Sequence, residues 1–157
     1  MTNPTESASK APSPWLNVFM KAFLRTPGLQ RILGRSIALI TFTGRRTGTR
    51  YTIPVSYARN AASVTLLSRA SRTWWRNFET RPDVELRLAG RTVTGRAVAR
   101  IGDEADLATL TSFLEGRPFD AKAYGVSLGP GGEANEADAR RLLPQVVIIR
   151  IELGEEA

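Results

Sequence analysis

The sequence predicts an α+β domain built on a β-barrel of about six mainly antiparallel strands, with helices outside it. Three observations carry this. Short β-branched runs recur between Gly, Pro and Asn punctuation. Val84, Leu86 and Leu88 alternate with polar residues before Ala89-Gly90 and a returning strand, which is a hairpin with one buried face. The chain also closes on an apolar run, Val146 to Ile149, suited to the middle of a sheet.

In chain order, residues 1–14 are rich in Pro, Ser and Thr, lack the apolar run of a secretory signal and read as a disordered leader before a single domain over 15–157. Trp15, Val18, Phe19, Ala22 and Phe23 then recur at helical spacing, with Asn17, Lys21 and Arg25 opposite, so an amphipathic N-terminal helix is expected. The helix is expected to pack as a lid on the domain, or in the minority reading to make peripheral membrane contact through 15–25 or to cover the acceptor. Pro27 can open a second short helix through Leu33.

Strands follow over Ile37 to Thr43, Tyr51 to Ala58 and Ser63 to Ser68, then a short helix from Thr73 to Thr80 stopped by Pro82, and the hairpin returning over Thr92 to Ile101. Asp103 and Asp106 form a capped start for a helix striped by Leu107, Leu110 and Leu114. Residues from Gly116 to Glu133 read as a long Gly and Pro rich loop of the kind that often serves as a functional lid. Asn135 caps a short helix that carries Arg140 and Arg141 at its end, Pro144 closes it, and Gln145 to Leu153 is the final strand.

Lys and Arg number 22 against 15 Asp and Glu, a net charge of +7 carried almost wholly by arginine. The planar arginine fork suits phosphates and carboxylates, so an anionic partner or a solvated basic surface is implied. There is no histidine and no cysteine. That removes the usual general base, the Ser-His-Asp triad, thiolate chemistry and most transition-metal sites, leaving a bound cofactor as the carrier of any reactive chemistry. Without an export signal or a spanning apolar run, a cytoplasmic protein is expected.

Two segments carry the candidate chemistry. In Thr43-Gly44-Arg45-Arg46-Thr47-Gly48-Thr49-Arg50, glycines allow a turn with inward N–H groups, and arginines and hydroxyls complete a cradle for phosphate or carboxylate. The spacing is not that of a Walker loop. In Ser68 to Phe78, adjacent Trp74 and Trp75 diverge by about 100° on a helix, so one should line a pocket while the other anchors the helix. Asn77 could meet a heterocycle edge or cap a turn.

In register, the run Leu39 to Gly48, Arg50 with the strand Thr52-Ile53-Pro54-Val55, and Ser68 followed by Trp74-Trp75-Arg76-Asn77-Phe78 and Pro82-Asp83-Val84 resemble the deazaflavin-dependent nitroreductases, or quinone reductases. The resemblance implies a split β-barrel of the FMN-binding type holding reduced coenzyme F-420. It places Arg45, Arg46, Thr47, Gly48 and Arg50 on the phosphate and glutamate tail, Pro54 and Val55 beside the ring, Ser68 near the reacting edge, and Trp74 and Asn77 in the same pocket. The family's Asn-Gly-Gly after the serine is Arg69-Ala70-Ser71 here, its pocket tyrosine and histidine are Trp75 and Arg76, and Tyr124 is the only tyrosine in the altered segment Phe119 to Ala134.

The function expected is hydride transfer to a quinone, nitroaromatic or similar conjugated hydrophobic acceptor, with Ser68, Tyr124 or water supplying a polar contact or proton. FMN in place of the deazaflavin is one alternative. A non-catalytic barrel carrying a cofactor, lipid or haem-like ligand is another. A single-stranded nucleic-acid binder ranks last, because the arginines cluster in one loop instead of interleaving with aromatics along a strand face. Oligomeric state is not legible from the sequence.

Overall fold

The computed structural model describes residues 36–154. The expected leader over 1–14, amphipathic helix over 15–25 and short helix over 27–33 lie outside the described residues. Six strands form the barrel: β1 (Ile37–Thr43), β2 (Arg50–Arg59), β3 (Ser63–Arg69), β4 (Asp83–Leu88), β5 (Arg91–Ile101) and β6 (Val146–Leu153). Around the closed barrel they run β1, β2, β3, β6, β5, β4, with every pairing antiparallel. The sequence places all six within a residue or so of these bounds.

The hairpin between β4 and β5 turns on Ala89 and Gly90, both at positive φ (46° and 83°), which matches the right-handed twist of the strands. β6 sits between β3 and β5, and both faces of its first half are buried, whereas Arg150 and Glu152 on the outer face of its second half are exposed. Val147, Ile149 and Ile151 point into the barrel with Ile40, Leu66 and Leu86. Val146 and Ile148 point outward under a helical layer. This explains why the run is apolar without alternation.

That layer comprises α1 (Leu107–Leu114), α2 (Pro118–Tyr124) and α3 (Glu136–Leu142). A one-turn 3-10 helix, Glu104–Asp106, leads into α1, and Asp103 and Asp106 form the reciprocal capping arrangement expected there. Asp106 is 4% exposed and is held by the Arg100 guanidinium at 2.5 Å. Asn135 caps α3 by accepting from Asp138 N–H at 2.9 Å. The sequence reading of 116–133 as one long loop is corrected: Pro118 starts α2 at its first turn, and Gly125 ends it at φ 72°. Ala121 of α2 and Val126 after it are buried in the helical layer, so the segment has its own core contacts.

Gly95 is a close approach between β5 and β6 that leaves no room for a side chain. A Cβ there would lie 2.6 Å from Ile151 Cγ2 and 2.7 Å from the Glu152 carbonyl oxygen. Gly95→Ala should therefore force the two strands apart and cost about 1–3 kcal/mol, the usual range for overpacking. Thermal unfolding followed by circular dichroism should show a lower Tm than the parent.

Candidate active site

The loop between β1 and β2 folds back on itself. Gly44 N–H donates to the Thr49 carbonyl at 2.7 Å, Gly48 N–H donates to the Gly44 carbonyl at 3.0 Å, and Thr49 N–H reaches Thr47 Oγ1 at 3.3 Å. Gly48 has φ 70°, where a side chain would be strained. Arg45 N–H donates to Asn77 Oδ1 at 2.8 Å. These four N–H groups, expected to face an anion, are engaged by the protein, so the anion-binding capacity of the loop lies chiefly in its side chains. Arg45, Arg46 and Thr47 line a cavity of about 500 Å³. Arg45 makes a loose pair with Glu79 at 3.8 Å.

Arg50 does not join them. On β2 it precedes Tyr51, whose side chain lines the loop cavity, whereas Arg50 lines a different cavity, which adjoins the loop cavity at Phe42, and pairs with Glu85 at 3.9 Å. Successive strand side chains leave by opposite faces, which accounts for the split.

Aromatic rings wall the loop cavity. Phe42 stacks on Tyr51 at 5.7 Å between centroids, and Phe42, Trp74 and Phe78 form a triangle with sides of 5.6 to 5.8 Å. Gly44 permits this, since a Cβ would meet Tyr51 Cε2 at 2.9 Å. Trp74 and Trp75 belong to a 3-10 helix, Trp74–Glu79, and diverge as the sequence requires. Trp75 is 6% exposed and packs in the barrel core, while Trp74 is half-buried at the cavity. Asn77 uses both ends of its amide on the protein, since its Nδ2 also donates to the Trp74 carbonyl at 2.7 Å. It ties the helix to the arginine loop.

Beyond Trp74 lies a second, narrower cavity of about 230 Å³. Trp74 and Ile53 line both cavities, so the two adjoin across these side chains and are together called a trough. Pro54, Val55, Ser68 and Tyr124, all singled out from the sequence, line this end together. Ser68 is buried; its Oγ donates to the Arg69 carbonyl at 3.2 Å and accepts from Trp74 Nε1 at 3.0 Å. One lone pair remains to accept a hydrogen bond from a ligand.

Tyr124 arrives on α2. Burial, reinforced by the nearby Asp120 carboxylate, pushes its phenol up to about 12, so it is a neutral O–H donor at physiological pH. Asp120 also faces this cavity, accepting from Ser56 Oγ at 2.8 Å and lying 3.9 Å from Arg117 Nη1. Sequence reasoning missed Asp120, Ile53, Phe42 and Tyr51 as cavity residues. Pro118 and Gly125, flanking a helix-length segment, were the signals that could have located α2 and with it Asp120. Among the described residues no cluster of acidic side chains could hold a metal ion, and no helix is long and apolar enough to cross a membrane.

The trough offers cations and a flat aromatic wall at one end, and a hydroxyl acceptor with a phenolic donor at the other. In fold, the chain is similar to a Listeria innocua protein described as a pyridoxamine 5'-phosphate oxidase, with 10% identity, coverage of 87% of this chain and 94% of that one, and a TM-score of 0.52. General Stress Protein 26 from Bacillus anthracis is similar to the same degree, with 16% identity, coverage of 78% and 82%, and a TM-score of 0.52. These likenesses establish the split barrel. No curated protein matches the sequence. The sequence pattern of the F420H(2)-dependent quinone reductases matches residues 17–115, well over half of the chain, and the protein belongs to that family.

Proposed function

We propose that the trough holds reduced coenzyme F-420 with its anionic tail on Arg45, Arg46 and Thr47, its ring against Trp74, Ile53, Pro54 and Val55, and a conjugated acceptor beside Ser68 and Tyr124. Family membership makes the chain an oxidoreductase with reduced coenzyme F-420 as the reductant and a small-molecule quinone as the acceptor class. The observation that carries the assignment of residues is that the two cavities adjoin across Trp74 and Ile53, which line both. A long ligand with a charged tail and a flat head fits that sequence of surfaces. Arg50, facing the cavity it shares with Glu85, stands outside this cradle.

Bound coenzyme supplies a hydride, and a quinone that takes this hydride and one proton becomes the hydroquinone. The chain's own task is placement and polarity. Asn77 fixes the loop carrying Arg45 and Arg46 relative to the ring wall. Trp74 and Ile53 form an apolar surface that orients a flat ring and excludes water from its face. Ser68 Oγ, already donating to a backbone carbonyl, is set to accept from a ring N–H. The Tyr124 phenol, protonated at physiological pH and made harder to ionise by burial, donates to the acceptor oxygen on which negative charge develops.

Three outcomes are expected. In fluorescence titrations, Arg46→Ala should weaken binding of the reduced coenzyme about tenfold or more, the scale of one charge-assisted hydrogen bond. Unchanged affinity would remove the loop from the tail site. Asn77→Ala should weaken it in the same direction by freeing the loop, whereas an unmoved affinity would leave Asn77 as a purely structural tie.

The third outcome concerns pH. The Tyr124 phenol is protonated in both folded and unfolded states below about pH 10 and contributes no pH dependence there. Between about 10 and 12 only the unfolded state releases its proton, so stability falls as pH rises, by at most about 3 kcal/mol. Tyr124→Phe should lack this part of the alkaline loss, as measured by denaturant unfolding across that range.

A further inference from the structure

We infer that the acceptor carries an oxyanion substituent, a carboxylate, sulfonate or phosphate on its conjugated ring, and that Arg69 and Arg72 bind it in the narrower cavity. The inference rests on the proposed function and names the substrate class of the same site.

Both arginines line that cavity beside Tyr124. Among the described residues no carboxylate lies within ion-pairing distance of either. Asp120 is the sole acidic residue lining this cavity among the described residues, and Ser56 and Arg117 already engage it. The end of the trough nearest Tyr124 therefore carries uncompensated positive charge.

Arg69 is also held in place. One of its terminal nitrogens donates to the Ala123 carbonyl of α2, and its guanidinium lies 5.4 Å from the centroid of the Tyr124 ring. A guanidinium has five N–H donors, so most of those on Arg69 stay available in a fixed orientation. Such preorganisation reduces the entropy lost when a ligand binds. Arg72 is brought alongside by a tight turn in which its N–H donates to the Arg69 carbonyl at 3.0 Å.

These arginines are distinct from the pair at the loop. Arg45 and Arg46 line the other cavity, with Trp74 and Ile53 between the two ends. A cofactor tail seated on the loop leaves Arg69 and Arg72, both exposed to solvent at the cavity rim, for a second anion, whereas a neutral hydrophobic acceptor would leave both guanidinium groups without an anionic partner.

The test compares kcat/KM for naphthoquinone sulfonate with kcat/KM for menadione, a neutral naphthoquinone, using full-length protein and reduced coenzyme F-420. Arg72→Gln should lower the ratio of sulfonate to neutral activity about tenfold, the scale of one lost charge-assisted contact, with the coenzyme Kd unmoved. Arg69→Gln should lower it in the same direction, and because Arg69 also braces α2, Arg72→Gln decides the question. A ratio unmoved in Arg72→Gln overturns the inference. Weakened coenzyme binding in Arg72→Gln, comparable to that in Arg46→Ala, also overturns it by assigning the residue to the tail. Parent protein that binds no reduced coenzyme would overturn the function on which the inference rests, a result distinct from both.

Discussion

The site depends on where the last strand goes. β6 inserts between β3 and β5 and closes the sheet into a ring without free edges, and its first half, Val146 to Ile149, is buried on both faces while Arg150 and Glu152 leave its outer face to solvent. Its inner residues complete the barrel core, and Val146 and Ile148 on its outer face seat the helical layer. With that layer fixed, α2 can hold Tyr124 and Asp120 against the mouth of the barrel beside Ser68 of β3. The narrower end of the trough is thus built from residues more than fifty positions apart in the chain.

The arginine-loop end depends on a smaller device. The single 3-10 helix after β3 sends Trp75 into the core and leaves Trp74 at the surface of the trough. From that anchored position Trp74 holds Ser68, and Asn77 holds the Arg45 backbone, so the hydroxyl, the aromatic wall and the cationic loop form one hydrogen-bonded assembly. In a chain with no histidine or cysteine, this arrangement gathers an aromatic face, a hydroxyl and a cationic loop in fixed relative positions.

Much of the fold was legible because its strands advertise themselves locally. Alternation in β4, β-branched runs in β1 and β3, and an apolar run in β6 reflect the burial each strand experiences. The failure at 116–133 has a physical reason: glycines and prolines that punctuate a loop also start and stop a short helix, and seven residues give too little periodicity to tell the cases apart. The arginine loop was legible as a cationic cradle, but which of its arginines share a cavity was not. Arg50 differs from Arg45 and Arg46 only in standing on the strand, where the pleat turns it to the other side.

By itself the sequence determined a barrel of antiparallel strands, the exclusion of histidine and thiol chemistry, and a cationic loop and a paired-tryptophan segment as the places to look. These are properties of composition and local pattern. Only the tertiary structure decided that Trp74 and not Trp75 faces the trough, that Asn77 braces the loop with its whole amide, and that Tyr124 meets Ser68, Arg69 and Arg72 in one cavity. Those facts follow from strand order and helix docking, long-range contacts that no local stretch of sequence encodes.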